Sequence, residues 1–568
     1  MDFSTCQGID ARIDQLAEEL SSLKTYRNAK FALTSRLPTE ILIDIFLHYQ
    51  ALLSETGDLL VCGAPGWIDV TYVCRSWRQT ALGAPILWTH IVTDEHWTQE
   101  MMRRSDTASL VVNLDLCRQG TREQRVEPVV KLILNQLDRI CSLTIHGFSS
   151  IWQHVQQCIK AAPTPLRLSS LTMTCVGSYH IPDDLFGEQP LPQLTRINLH
   201  NCDIQWTSPI LHGGLVTLKL WPPYIRDLQT AERVLSALSP MAMLKELVLD
   251  RLPARFGHKT SNMHVALPSL SSLHLSGGMA ECAFLLSRLS FPPLARLSLL
   301  CEIGIVEGDL KVDLSWLLSK LPQIVSSARE LRTLSIKQLN TALSLKIDCW
   351  TACPPPTAGG WTEPTPAAVF SLGLWWTPET VYAGKDIGVN ISVPACIEPA
   401  VAALPVGQVT DLFMHPLEEG PVVDWMACFG RMDALRKVWV RGQGTSGALL
   451  KALYDDLRPG EMSTRTHLPA SGTAQTDLSH LIGGSTKEEH TMMYPDLRDL
   501  SFEAINLKKG QWGQMAGPSC FSWLQKVVRV RHQRGLPIHT LRFRECSPTE
   551  RMAIQLEKVV LQLEYDDT

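Results

Sequence analysis

The chain has 568 residues, 45% of them hydrophobic and 19% charged, with a formal net charge of -5. That composition calls for folded cores over most of the length, and the slight acidity gives no bulk attraction to nucleic acid or anionic membrane. The opening MDFSTCQGID lacks the basic-then-apolar pattern of a secretory signal, and no apolar run is long enough to span a bilayer. The expected setting is therefore cytoplasmic, nuclear or both. The 16 cysteines are scattered, form no CxxC pair and are expected to stay reduced, so neither a metal nor a cofactor is expected.

In chain order, the first element is a helix within residues 1–33. Ile9, Ile13, Leu16, Leu20 and Leu23 alternate four and three apart, a heptad seam of two repeats. Two heptads are short for a coiled coil, so the seam is expected to pack on the domain that follows rather than on a second copy.

Next comes Leu37-Pro38-Thr39-Glu40-Ile41-Leu42-Ile43-Asp44-Ile45-Phe46. Pro38 suits the start of a helix, Glu40 complements its dipole, and Leu42, Ile45, Phe46 and Tyr49 are expected to form one apolar stripe. A second helix is expected where Val70, Val73, Cys74, Trp77 and Ala81 repeat at helical spacing. Pro85-Ile86-Leu87-Trp88 closes the unit.

This LPxEIL…IF…VCRxW…LW series resembles the F-box and looks like the large fungal F-box families. The resemblance covers Ser35 to Ile91 and departs from the usual pattern by a long connection, Ala51 to Gly66. It implies docking onto the Skp adaptor of cullin–RING ubiquitin ligases, with Leu37, Pro38, Ile41, Leu42, Ile45, Phe46, Val73, Cys74 and Trp77 as the adaptor-binding residues. The F-box is assigned to 34–92 and a linker to 93–139.

From Ile140 a string with leucine-type residues at positions 1, 4 and 6 recurs. It runs Ile140/Leu143/Ile145, Leu168/Leu171/Met173, Leu194/Ile197/Leu199, Leu215/Leu218/Leu220, Leu244/Leu247/Leu249, Leu270/Leu273/Leu275 and Leu294/Leu297/Leu299. These starts lie 21 to 29 residues apart, the period of a leucine-rich repeat. A copy at Leu331/Leu334/Ile336 and looser copies at Val409, Leu435, Leu497 and Ile538 follow. The ninth-position Cys202 and Cys546 are expected to bond backbone groups in the turn.

The fold expected is α/β: a helical F-box followed by a leucine-rich-repeat solenoid, an irregular β/α horseshoe. Its parts are regular repeats at 140–350, a Pro/Gly-rich loop at 351–368, irregular repeats at 369–457 and a mobile polar insertion at 458–494. The last repeats fill 495–568, with a helix from Pro548 to Leu563 capping the end. Helical returns are expected at Ala231–Leu238 and Leu310–Leu321.

Gly442-Gln443-Gly444-Thr445-Ser446-Gly447 is a literal GxGxxG between strand-like and helix-like segments. No second strand ending in a ribose-binding acid follows, so a repeat turn explains the glycines more simply than a nucleotide site. No GxxxxGK[ST], HExxH or GxSxG occurs, and the 17 histidines show no ligand spacing. Nothing marks an enzyme.

Positions 2, 3 and 5 of the strands should face a target. There Arg196, Lys219, Lys245, Arg296, Arg332, Arg436, Lys437, Arg498 and Arg542 outnumber the acids Glu246, Asp411 and Asp499. With Trp439 as an aromatic anchor, they suggest a protein target that is acidic or phosphorylated. The function expected is a non-catalytic substrate receptor of an SCF-type ubiquitin ligase. A scaffold outside any ligase, or a nucleotide-binding protein using 442–447, are the alternatives.

Overall fold

The structure is a computed structural model. It describes residues 6–56, 60–61, 64–117, 123–163, 167–187, 191–223, 231–252, 263–292, 296–303, 330–338, 344–352, 368–376, 393–417, 423–457, 492–509, 511–512, 515–516, 518–546 and 548–565. The expected helix at Leu310–Leu321, the loop residues 353–367 and the insertion residues 458–491 lie outside these. The chain divides into two compact units, one of residues 1–227 with 232–248 and one of residues 228–231 with 249–568.

The first unit starts with helix α1 (Cys6–Phe31), which buries none of its residues. The expectation that its seam packs on the next domain is therefore corrected. Helix α2 (Thr39–Thr56) follows a 3₁₀ turn at Leu33–Arg36. The expected second helix is broken in two, a 3₁₀ helix at Gly66–Tyr72 and helix α3 (Arg75–Gly83). The break falls where Cys74 is extended and its thiol accepts a hydrogen bond from the Trp77 N–H, an N-cap that starts a new helix. Part of the long connection is helical, since α2 runs through Thr56, and a two-residue hairpin at Leu60–Val61 and Ala64–Pro65 takes up more of it.

This helical region then runs directly into a sheet. His90–Ile91, Leu110–Asp115, Ile140–Phe148, Ser170–Ile181, Arg196–Ile204 and Thr217–Trp221 pair in sequence order, all parallel. The expected linker 93–139 is thus part of the fold, holding helix α4 (Glu95–Arg104), the Leu110 strand and a helix at Glu123–Leu134. Register alignment makes two apolar rows. One is Val112, Leu143, Leu171, Ile197 and Leu218; the other is Leu114, Ile145, Met173, Leu199 and Leu220. All ten are buried, because side chains two apart on a strand share a face. The Cys202 thiol lies 3.8 Å from the Met173 carbonyl, so the ninth position does reach back to the preceding strand.

In the second unit, Ser272–Gly278, Arg296–Ile303 and Phe370–Trp376 are parallel neighbours. Ser344–Trp350 then lies antiparallel between Phe370–Trp376 and Thr333–Lys337. Parallel order resumes through Asp411–Met414, Lys437–Arg441, Asp499–Glu503, Thr540–Arg544 and Gln562–Tyr565. The repeat expected at Leu331 is therefore no direct successor of the one at Leu294. The connection 338–343 is too short for a parallel crossover, which needs about a dozen residues or more, so the chain turns back on itself.

Two further corrections concern the C-terminal part. Met492, Met493 and Tyr494, read as part of a mobile insertion, are buried. The final helix ends at Glu557, and the strand Gln562–Tyr565 completes the ladder. The architecture is a helical N-terminal region followed by mixed α/β structure with a large, mainly parallel sheet. Among the described residues no helix is long and apolar enough to cross a membrane.

Candidate functional site

Helix α2 is apolar on two faces, and this splits the single stripe expected from spacing. Leu42 and Phe46 point inward, 3% and 0% exposed, with Gln50 beside them donating from Nε2 to the Leu87 carbonyl at 3.3 Å. Ile41 and Ile45 point outward, 45% and 43% exposed; Tyr49 continues their i, i+4 row with Leu52 three residues on, and Leu37, extended just before the helix, is exposed as well. Leu42 and Phe46, expected on the adaptor surface, are thus core residues. Leu37, Pro38, Ile41 and Ile45 do lie on the surface.

The inner face is closed by the segments after α2. Phe46 meets the Trp77 ring at a centroid distance of 5.1 Å. Trp67 packs edge-on against Trp88 at 5.0 Å, and Trp88 donates from Nε1 to the Ala81 carbonyl at 2.9 Å. The Arg104 guanidinium covers the Trp88 ring at 4.8 Å. Arg103 and Arg104 both bond Glu100, and the Arg103 hydrogen bonds, first among these effects, hold its carboxyl at about 2 against an ordinary 4.5.

Trp77 and Cys74 are half-buried and serve as packing and cap. Val73, by contrast, is 58% exposed, and its neighbour Tyr72 and the later Ile86 are exposed too. Tyr49, Leu52, Tyr72 and Ile86 were not among the candidate residues. Their signal was present in the sequence, since Tyr49 and Leu52 continue the Leu37, Ile41, Ile45 row at helical spacing.

The expected target-binding residues fall in both units. Arg196 and Lys219 are in the first, where Lys219 Nζ sits 2.7 Å from Glu246 Oε1. In the second, Arg332 is paired with Glu330, Lys437 with Asp411 at 3.9 Å, and Arg542 with Glu564 at 2.6 Å. The excess of basic residues is thus reduced by acids that, Glu330 apart, lie more than 20 residues away in sequence. Arg296 is exposed at a strand start, while Arg436 and Arg498 directly precede adjacent strands, the Arg498 N–H bonding the Arg436 carbonyl at 2.9 Å. Trp439 is only 9% exposed, its ring 6.3 Å from Phe413 and 5.0 Å from His415, which corrects its expected role as an open anchor.

The 442–447 turn is used structurally. Gly442 has φ of +87°, its N–H bonds the Glu503 carbonyl, and Thr445 Oγ1 turns back on the Arg441 carbonyl. Gln443 bridges to Asn506 through its side chain, and Thr445, Ser446 and Gly447 are buried. These contacts occupy the helix start with protein partners. Among the described residues, Asp115, Cys117 and His146 bring donor atoms within 4.8 Å of one another. Yet His146 turns Nδ1 to Asp115 at 3.5 Å and Nε2 to Cys117 at 3.7 Å, bridging its neighbours instead of converging with them. Burial and the Asp115 charge also push the Cys117 thiol up, away from the thiolate a metal needs.

No curated protein matches the chain. The F-box-like family model matches residues 34–94, the stretch from the 3₁₀ turn before α2 to the Asp94 cap of α4. With its closed inner core and its outward apolar row, residues 34–94 of this chain are an F-box-like domain.

Proposed function

We propose that the chain is the substrate-recognition subunit of an SCF-type cullin–RING ubiquitin ligase. The observation that carries this is the set of exposed apolar residues Leu37, Ile41, Ile45 and Tyr49, with Val73 just ahead of α3, on a domain whose core is complete without them. Burying one such side chain is worth about 1.5–3 kcal/mol, so four or five supply the driving force of a stable interface. F-box domains generally bind the Skp adaptor, and this surface is its docking site in the present reading.

The sheet that follows supports a target-binding role. Its buried leucine-type rows fit a leucine-rich-repeat solenoid of the irregular β/α kind, interrupted by the antiparallel strand Ser344–Trp350. Arg436 and Arg498, on neighbouring strands and with no acidic partner among the described residues, are a basic pair open to an acidic or phosphorylated segment of the target. The protein acts in the cytoplasm or nucleus and performs no bond chemistry. Its contribution is to hold a target near the ubiquitin-conjugating enzyme at high effective concentration.

The test is reconstitution of the chain with adaptor, cullin and RING subunit, followed by recovery of proteins that gain ubiquitin only when the chain is present. Targets lost on replacing Arg436 and Arg498 with Glu support the whole reading. Failure of the chain to enter the cullin complex overturns the ligase role and leaves a binding scaffold.

A further inference from the structure

Helix α1 is long, at 26 residues or about 39 Å, and has no buried residue. Its seam of Ile9, Ile13, Leu16, Leu20 and Leu23 is open throughout, from 45% exposed at Ile9 to 61% at Leu23. A seam of two apolar residues per heptad is the narrow stripe that another helix covers, not the broader face that a globular core covers. Taking Ile13 and Leu20 as a positions and Ile9, Leu16 and Leu23 as d positions fixes the flanks. Arg12, Glu19 and Tyr26 are then g positions, and Asp10, Ala17, Lys24 and Phe31 are e positions.

In a parallel, in-register pair, each g position meets the e position five residues on in its partner. One alignment therefore joins Glu19 to Lys24 of the other copy and Tyr26 to Phe31 of the other copy. Of the antiparallel alignments, one sets Glu19 against Arg12 but leaves Lys24, Tyr26 and Phe31 without facing partners in the helix, and the other sets Asp10 against Lys24 but Glu19 against Glu19. The two cations that continue the seam, Arg27 and Lys30, are held aside. Arg27 bonds Asn28 Oδ1 at 3.0 Å, and Lys30 Nζ bonds the Tyr26 hydroxyl at 3.2 Å and lies over the Tyr26 and Phe31 rings.

We propose that α1 is a dimerisation helix whose occupant is α1 of a second copy, paired parallel and in register. Two heptads give a modest affinity, and the aromatic g–e pair adds to it. The consequence is a receptor with two F-box-like domains leaving the same end of one coiled coil. Two targets, or two sites on one target, are then bound with an avidity that no single copy has.

The experiment is sedimentation analysis of the full chain co-purified with the Skp adaptor, or of the chain alone if it does not bind the adaptor, over a range of concentrations. The wild type is expected to double in mass as concentration rises. Ile13→Glu/Leu20→Glu is expected to raise the dimer dissociation constant by about tenfold or more, with helical content and adaptor binding unchanged. Glu19→Lys or Lys24→Glu alone is expected to weaken it by about twofold to fivefold, and the two together to restore it. A wild type that stays monomeric, a dimer insensitive to the seam variant, or a charge swap that fails to restore pairing overturns the proposal. So does loss of adaptor binding in the seam variant, which would make α1 part of the adaptor surface instead.

Discussion

The rings of Phe46 and Trp77 lie 5.1 Å apart and tilted by 58°, locking α2 to α3 across the inside of the F-box-like domain. Phe46 is fully buried while Ile45, the preceding residue, is open to solvent. Neighbours in sequence therefore carry separate tasks, one holding the fold and the other left for a partner.

Phe46→Ala is expected to cost about 3–5 kcal/mol through the cavity it leaves. Chemical denaturation of the N-terminal transition checks this. Unchanged stability would show that the packing of α2 on α3 does not hold the domain.

Ile41→Asp should behave in the opposite way. Its exposed position makes the stability change small, within about 0.5 kcal/mol, while adaptor affinity should fall by about thirtyfold for a central contact. Titration calorimetry against the adaptor, with a melting curve beside it, separates the two effects.

Glu100 carries a pH dependence. Its carboxyl is held down at about 2 from an ordinary 4.5 by Arg103 and Arg104. The folded state therefore binds this proton more weakly than the unfolded state. The stabilisation is fully present above the unfolded value near 4.5 and is lost as pH falls toward 2. Solvent screening limits it, so Glu100→Gln should cost only about 0.5 kcal/mol at neutral pH. Acid melts of wild type and variant should converge near pH 2.

Arg531 is a buried cation, 1% exposed, that donates to the Met493 carbonyl at 3.0 Å and the Tyr494 carbonyl at 2.8 Å. Burial lowers it to about 10, which leaves it charged at neutral pH. Arg531→Met strips two buried carbonyls of their donor and should cost about 2–4 kcal/mol. Hydrogen exchange around 492–494 should rise sharply in that variant.

The GxGxxG turn gives a further discriminating case. Gly442→Ala must hold a Cβ at φ of +87°, with Pro416 Cβ only 3.2 Å away. A cost of about 1–2 kcal/mol is expected, with no nucleotide-dependent change in melting for either form.

Much of this was legible in the sequence. The LPxEIL and CRSW segments marked the F-box-like domain to within a few residues of the 34–94 match, because a proline, a first-turn acid and paired tryptophans form a set that is hard to meet by chance. The repeat spacing located the strands from Ile140 to Leu299, since alternate leucines must share one face. Spacing could not show that Leu42 and Ile41 face opposite ways, because α2 is apolar on both sides and one helical period fits either. The Leu110 strand was missed because its register shifts between Leu110 and Val111, so that Ser109, not an apolar residue, stands three positions before Val112 where the repeat pattern looks for leucine. The antiparallel Ser344 strand was hidden for a different reason: its direction depends on the short connection before it, not on its own residues. Ion pairs such as Arg542 with Glu564 join separate strands and have no local signature at all.

The most direct test of the central claim is co-expression of the full chain with the Skp adaptor, beside an Ile41→Asp/Ile45→Asp/Val73→Asp variant, with the adaptor stoichiometry measured after purification. The account predicts one adaptor per chain for the wild type, and loss of the adaptor from a variant that keeps its helical content and melting temperature. A folded wild type that recovers no adaptor, or a variant that binds it as well as the wild type, would contradict the assignment of this apolar row as the adaptor site.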